Sequence, residues 1–347
     1  MPRTRHLLVV AISLLVLTTF VQAQGAPAGD AAWKGKTPIG LSDVSATAPR
    51  DNALTQAKVV LGKALFWDKR LSTTGMQSCQ SCHSPEKGWS DTLPVSVKAT
   101  GKANTRHSPT LYNVAYNTAF FFDGRAQTLE SAVRMEWEDQ LGAKGKADSI
   151  AQKLDSIPGY KKLFEEAFGP GAVSADKVAK AIASFARTIL TANTPYDIFA
   201  GGTTTAMSPA AQRGWDLFRG KARCGVCHSG NLFTDGKFHM IGVGHGGLVK
   251  GDPGRMAIVN DPRMEGAMKT PTLRNVLSHP PFMHNGCFGT LESVFKWFET
   301  PYGAKNLAPE IQGGIHLTAA EKADVTEFLK ALESGDDPDT LSRPQLP

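Results

Sequence analysis

The chain has 347 residues, room for two domains at about 100–200 residues each. Hydrophobic residues make up 41% of it, which suffices for a packed core, and after the N-terminus no apolar run is long enough to be a membrane helix. The formal charge is +6, yet no block of Lys or Arg exceeds two in succession, so the basic balance does not point to nucleic acid.

The chain begins MPRTRHLLVVAISLLVLTTFVQA. Arg3 and Arg5 form a positive n-region, Leu7 to Phe20 a short apolar core, and Val21-Gln22-Ala23 a small-residue cleavage site. This predicts a signal peptide over residues 1–23, with an uncleaved N-terminal anchor as the alternative, and a mature protein in an oxidising compartment such as a bacterial periplasm. Loss of Arg3 and Arg5 brings the charge to +4. Next come GKALFWDKRLS and CQSCHSPEKGW, with Cys79, Cys82 and His83. Leu129, Val133, Trp137 and Leu141 then recur at four-residue steps after Thr128, a helix-capping residue type, and Val178, Ile182, Phe185 and Ile189 recur at helical steps of three and four after Ser174. AGGTTTAMSP, Ala200 to Pro209, reads as a linker, and Ser208-Pro209 as the start of another helix. GWDLFRGKAR and CGVCHSGN follow, with Cys224, Cys227 and His228, and Thr318 to Glu321 is a capping box before Val325, Phe328, Leu329 and Leu332.

Five cysteines are an odd number for a disulfide framework, and four of them lie in the two C-x-x-C pairs. A thioredoxin-type redox pair expects a βαβ setting, which the surroundings lack. A zinc site usually keeps its pairs closer in sequence. C-x-x-C-H is the attachment signature of c-type haem: two thiols add to the vinyl groups along one macrocycle edge, and the adjacent histidine supplies the proximal nitrogen. The expectation is two covalently bound haem c groups, on Cys79, Cys82 and His83 and on Cys224, Cys227 and His228. Both motifs follow G-x-x-L-F, at Gly62–Phe66 and Gly214–Phe218, and precede an aromatic residue, a small hydroxyl and Asp, at Trp89-Ser90-Asp91 and Phe233-Thr234-Asp235. This repeat predicts a mainly α fold of two cytochrome c-like domains, residues 24–200 and 201–347. Cys287 stands alone and reads as a buried, inert thiol.

CQSCH, LPVSV, RHSPTLYNVAYN, FFFDGRAQTLE, ANTPYD, CGVCH, FTDGKFHMIGVG, DPGR and TPTLRNV…PPFMHNGCFGTLESV stand in the order of a known family. Over nearly all of the mature length the chain resembles the bacterial di-haem cytochrome c peroxidases, a group that includes the di-haem enzymes of methylamine-dehydrogenase maturation. The resemblance implies haems facing the domain interface, the N-terminal haem meeting hydrogen peroxide and the C-terminal one passing electrons from a small donor protein, a cytochrome c or a cupredoxin. It also implies, by analogy, a homodimer.

Several positions depart from the family pattern. The switchable distal histidine falls at Ala99, so the resemblance implies an open first haem. The distal glutamate falls near Gly142; Glu136, Glu138 and Asp139 are nearby, with Glu136 as the candidate acid–base group. The tryptophan between the haems falls at Phe122. The sixth ligand of the second haem falls at Phe298, with Met283, His284 and Tyr302 as alternatives. The calcium-binding asparagine falls at His107, a poor ligand for a hard cation, and this puts calcium in doubt. His107 is a second candidate for a distal polar group, or else a histidine satisfied within the fold. The leading expectation is a periplasmic peroxidase; the alternatives are a maturation-type oxidase acting on a partner protein and a non-catalytic electron carrier.

Overall fold

Hydroxyl caps and prolines set most helix starts. In a computed structural model describing residues 31–244, 251–301, 306–335 and 338–347, Thr55 opens α1 (Gln56–Trp67) by accepting from the Lys58 amide. The expected signal peptide and Tyr302 lie outside the described residues. Thr128 and Ser131 form a reciprocal box at α2 (Leu129–Gln140). α3 (Ala147–Asp155) follows, then α4 (Pro158–Phe168) with proline in its first turn and α5 (Ala175–Ala186) capped by Ser174. α6 (Pro195–Ala200) and α7 (Pro209–Arg219) each begin with a hydroxyl cap and a proline. β1 (Phe238–His239), α8 (Met256–Val259) and β2 (Met268–Lys269) come next, and β1 pairs antiparallel with β2. α9 (Leu291–Glu299), α10 (Ala319–Lys330) and α11 (Pro338–Leu341) complete the order, with Thr318 and Glu321 boxing α10 as the sequence predicts. The fold is mainly α. Among the described residues no helix is long and apolar enough to cross a membrane.

The apolar stripes bury into two principal cores. One joins Leu61, Leu65 and Phe66 of α1 to Ile182 and Phe185 of α5, with Trp137 of α2 and Tyr160 and Phe164 of α4. The other joins Phe218 of α7 to Phe328 and Leu329 of α10, with Phe233 and Val276. Each fully buried Leu or Phe contributes about 1.5–3 kcal/mol relative to exposure. Both cores use one packing device. A Cβ added at Gly62 would lie 1.9 Å from the Ala181 carbonyl oxygen of α5, and one at Gly214 would lie 1.9 Å from that of Asp324 in α10. The glycine of each G-x-x-L-F therefore lets two helix backbones touch.

α6, just before the expected boundary at residue 200, packs Tyr196 and Phe199 against the second core. Its Asp197 is bound at both oxygens by buried Arg274, at 2.7 and 2.9 Å. The C-terminal tail returns to the first core, where Leu346 packs and the Pro347 carbonyl accepts from Arg70 at 2.9 Å.

Candidate haem-binding cavity

Each C-x-x-C opens a 3₁₀ turn, Cys79–Ser81 and Cys224–Val226, and the following histidine amide donates back to the first cysteine, at 3.0 Å for His83 and 2.9 Å for His228. The two imidazoles are then oriented identically. His83 Nδ1 donates to the Trp89 carbonyl at 3.1 Å, and His228 Nδ1 to the Phe233 carbonyl at 3.0 Å. Presenting those carbonyls requires left-handed backbone, with φ +57° at Trp89 and +51° at Phe233. Such conformations cost of order 1–3 kcal/mol each and are retained where the surroundings enforce them. An Nδ1–H bound to a carbonyl fixes the tautomer that leaves Nε2 as a free lone pair, the arrangement that orients metal-binding histidines. Burial, the largest influence, holds both imidazoles below the usual histidine range, hence neutral and able to ligate.

Both triplets, Cys79, Cys82, His83 and Cys224, Cys227, His228, line one cavity of about 790 Å³ between the two cores. All five cysteines are free. Burial pushes the Cys79, Cys82 and Cys224 thiols up to about 12 and Cys227 to about 11, so they stay protonated. A redox dithiol or a zinc site would need thiolates. Cys227, Asp235 and His239 do bring ligand atoms within 4.8 Å of one another, but Asp235 and His239 already pair at 2.8 Å, and Cys227 belongs to the second triplet.

The cavity also fits the group implied by the triplets in its unspent polar atoms. Lys269 lines it with its ammonium pushed by burial down to about 8, and its Nζ has only a 3.4 Å contact to the Thr270 carbonyl. Nε2 of His279 and of His284, also on the lining, are buried without a partner among the described residues. A flat apolar macrocycle edged with carboxylates would satisfy such a wall.

Around the first triplet, α2 aims one face at the cavity: Leu129, Ala132, Val133, Glu136 and Gln140 all line it. Glu136, 35% exposed at its side chain, is on the lining and lies 3.9 Å from Arg125. Burial pushes its carboxyl up to about 7; Arg125 and Lys98 oppose the shift and Asp139 adds to it. Of its neighbours, Glu138 is off the lining and bonded to Arg134, whereas Asp139 also lines the cavity and is bonded to Lys98. Ala99 sits in a loop pinned to the end of α2, its amide donating to the Gln140 carbonyl at 2.8 Å.

His107 spends both ring nitrogens inside the fold, Nδ1 on the Leu93 carbonyl at 2.7 Å and Nε2 on the Ser90 hydroxyl at 3.1 Å, while its amide donates to the His284 carbonyl across the two halves. Of the positions considered for the second site, Phe298, Met283 and His284 line the cavity. Phe122 and His284 meet edge to face at 6.2 Å between the halves. Cys287 is half-buried, and burial pushes its thiol up to about 11.

Residues 56–205 match the family model described as di-haem cytochrome c peroxidase. The methylamine utilization protein MauG of Methylorubrum extorquens is 38% identical over 302 residues, covering 86% of this chain and 84% of that protein. The chain belongs to the di-haem cytochrome c peroxidase family. Cytochrome-c peroxidase IdrP1 of a Pseudomonas species is 32% identical, with 86% of each chain covered. Among solved structures, a MauG-like protein associated with microbial copper homeostasis superposes with a TM-score of 0.78 at 28% identity, covering 90% of this chain and 98% of that one. Family membership makes the protein a haem oxidoreductase. Against that background, motif reading had missed the carbonyls of Trp89 and Phe233 and the buried Lys269. The repeated aromatic–hydroxyl–Asp triplet was the available signal for the first two; Lys269 left none.

Proposed function

We propose that the protein is a periplasmic di-haem peroxidase that reduces hydrogen peroxide at the first triplet with electrons delivered through the second by a small donor protein. Cys79 and Cys82 would hold the first haem covalently with His83 as its axial ligand, and Cys224, Cys227 and His228 the second. When bound, the haems supply the redox-active iron. The observation that carries the reading is Glu136, a carboxyl poised near neutrality on the wall that holds Cys79, Cys82 and His83. Ionised, Glu136 takes a proton from one peroxide oxygen and returns it to the other, which leaves as water. The apolar wall of Leu129, Ala132 and Val133 keeps bulk water from competing for that proton. His107 acts by holding the Ser90–Leu93 segment beside His83 rather than by meeting substrate.

The base form of Glu136 predominates above pH about 7, so the peroxide reaction should accelerate as pH rises through that value. Glu136→Gln keeps the shape and removes the base; stopped-flow mixing with peroxide should show a loss of about 100-fold or more and a flattened pH profile. A variant as fast as wild type, with the same inflection, would remove Glu136 from the mechanism.

One observation favours a second reading, oxidation of a partner protein. The loop at the first site carries Ala99, which cannot ligate iron, and is pinned to α2; this supports a first site that needs no prior reduction to open. A persistent oxidised spectrum after peroxide meets the fully oxidised protein would support it; a response only after one-electron reduction would exclude it.

A further inference from the structure

The two halves differ at a position the repeat makes directly comparable. The residue whose carbonyl orients the histidine is Trp89 under His83 but Phe233 under His228. An indole can give up an electron to a strong biological oxidant, whereas a phenyl ring cannot. Trp89 is fully buried, and its Nε1–H has no acceptor among the described residues. Its ring meets that of Trp67 edge to face, with centroids 6.1 Å apart, and Phe66 and Phe185 fill the space around them. Asp68 follows Trp67 in the chain, and its Oδ2 accepts the hydroxyl of buried Tyr160 at 2.6 Å. Arg70 holds the same carboxylate at 2.7 Å. Between the halves stands Phe122, against His284, with no indole or phenol to offer.

We propose that Trp89, Trp67 and Tyr160 form a relay that draws an oxidising equivalent away from the first triplet and holds it on Tyr160 as a neutral tyrosyl radical. It rests on the peroxide reading above, because hydrogen peroxide is the oxidant. Peroxide takes two electrons and two protons to become two waters; the relay lends one of those electrons, the haem held at the first triplet would supply the other, and the donor protein later restores both. Trp89 gives up an electron, Trp67 refills Trp89, and Tyr160 refills Trp67 while its phenolic proton passes to Asp68. Local hydrogen bonding sets the direction. With no acceptor at Nε1, oxidised Trp89 cannot shed its proton and remains strongly oxidising. Tyr160 has a carboxylate in place, so its oxidation completes with a short proton shift and the equivalent stays there.

The test is rapid-freeze EPR of the holoenzyme after mixing with hydrogen peroxide, with haem absorbance followed in parallel and protein grown with ring-deuterated tyrosine. The expected result is a radical signal that narrows on deuteration and is lost in Tyr160→Phe and in Trp89→Phe, a ring the second half accommodates at the equivalent place. Peptide mass mapping of the wild type should also find oxidation concentrated at Tyr160, a readout independent of how either variant folds. A haem absorbance change without a tyrosyl signal, or a signal that survives in folded Tyr160→Phe, overturns the relay alone. No absorbance response to peroxide at all overturns the peroxide reading and the relay with it.

Discussion

Glu136, Glu138 and Asp139 stand within four residues of one another, and their surroundings give them different fates. Glu138 is bonded to Arg134 off the cavity wall, and Asp139 is on the wall but bonded to Lys98, whereas Glu136 shares the wall with Leu129, Ala132 and Val133. Asp139 is a like charge that helps raise the Glu136 carboxyl. Asp139→Asn should therefore move the pH inflection of the peroxide reaction to lower pH, and Lys98→Met should move it to higher pH. Stopped-flow rates over pH 5–9 check both; unmoved inflections would mean another group titrates. Part of this was legible beforehand. Glu136 stands four residues after Ala132 and seven after Leu129, on the apolar stripe, so helical spacing separates it from Glu138, while the Lys98 pairing that sets Asp139 apart is not encoded in spacing. The fate of His107 was not, since its partners, the Leu93 carbonyl and the Ser90 hydroxyl, belong to a loop whose path no periodicity encodes.

Between elements, the repeated G-x-x-L-F has a single cause. In mid-helix, glycine sacrifices about 1 kcal/mol of helix propensity relative to alanine. At Gly62 and Gly214 the facing backbone leaves no room for a methyl group, so close helix contact outweighs propensity. Gly62→Ala or Gly214→Ala should destabilise the fold by about 1–3 kcal/mol, the usual range for overpacking, despite alanine's better propensity. Denaturant unfolding reads this; a gain in stability would show that the helices stand further apart. The sequence displayed this repeat and the aromatic–hydroxyl–Asp triplet as patterns. Neither disclosed its reason, because a backbone contact between helices and a left-handed carbonyl are properties of the folded chain. The caps at Thr128, Ser174, Ser208 and Thr318 were legible because capping is local chemistry, read within three residues.

At the scale of the molecule, buried charge ties the two halves together. Arg106 binds Asp123 at 2.6 Å and Asp252 at 2.7 Å, and Arg255 donates to the Asp123 and Gly124 carbonyls. Burial, the largest single influence, opposes ionisation of Asp252, yet the Arg106 hydrogen bonds, the Gly254 amide and the Arg106 charge together outweigh it and hold the carboxyl below its usual range. A depressed native carboxyl adds stability that is fully present above the unfolded value of about 3.9 and is lost as pH falls below it. Asp252→Asn leaves Arg106 short of one partner and should cost about 3–5 kcal/mol at neutral pH. Its melting temperature should also fall less than that of wild type on acidification. Equal acid sensitivity would place the stabilising charge elsewhere. The pairings of Arg106 with Asp252 and of Arg255 with the Asp123 and Gly124 carbonyls could not be read from the chain, since their members lie more than a hundred residues apart.

The account depends on one cavity accepting two covalently attached macrocycles. Intact-mass spectrometry of protein exported from cells able to mature c-type cytochromes tests this most directly. The predicted mass exceeds that of the processed polypeptide by two haems, falling to one in Cys79→Ser/Cys82→Ser and likewise in Cys224→Ser/Cys227→Ser. A wild-type mass equal to the bare polypeptide, without haem absorbance, would contradict the account.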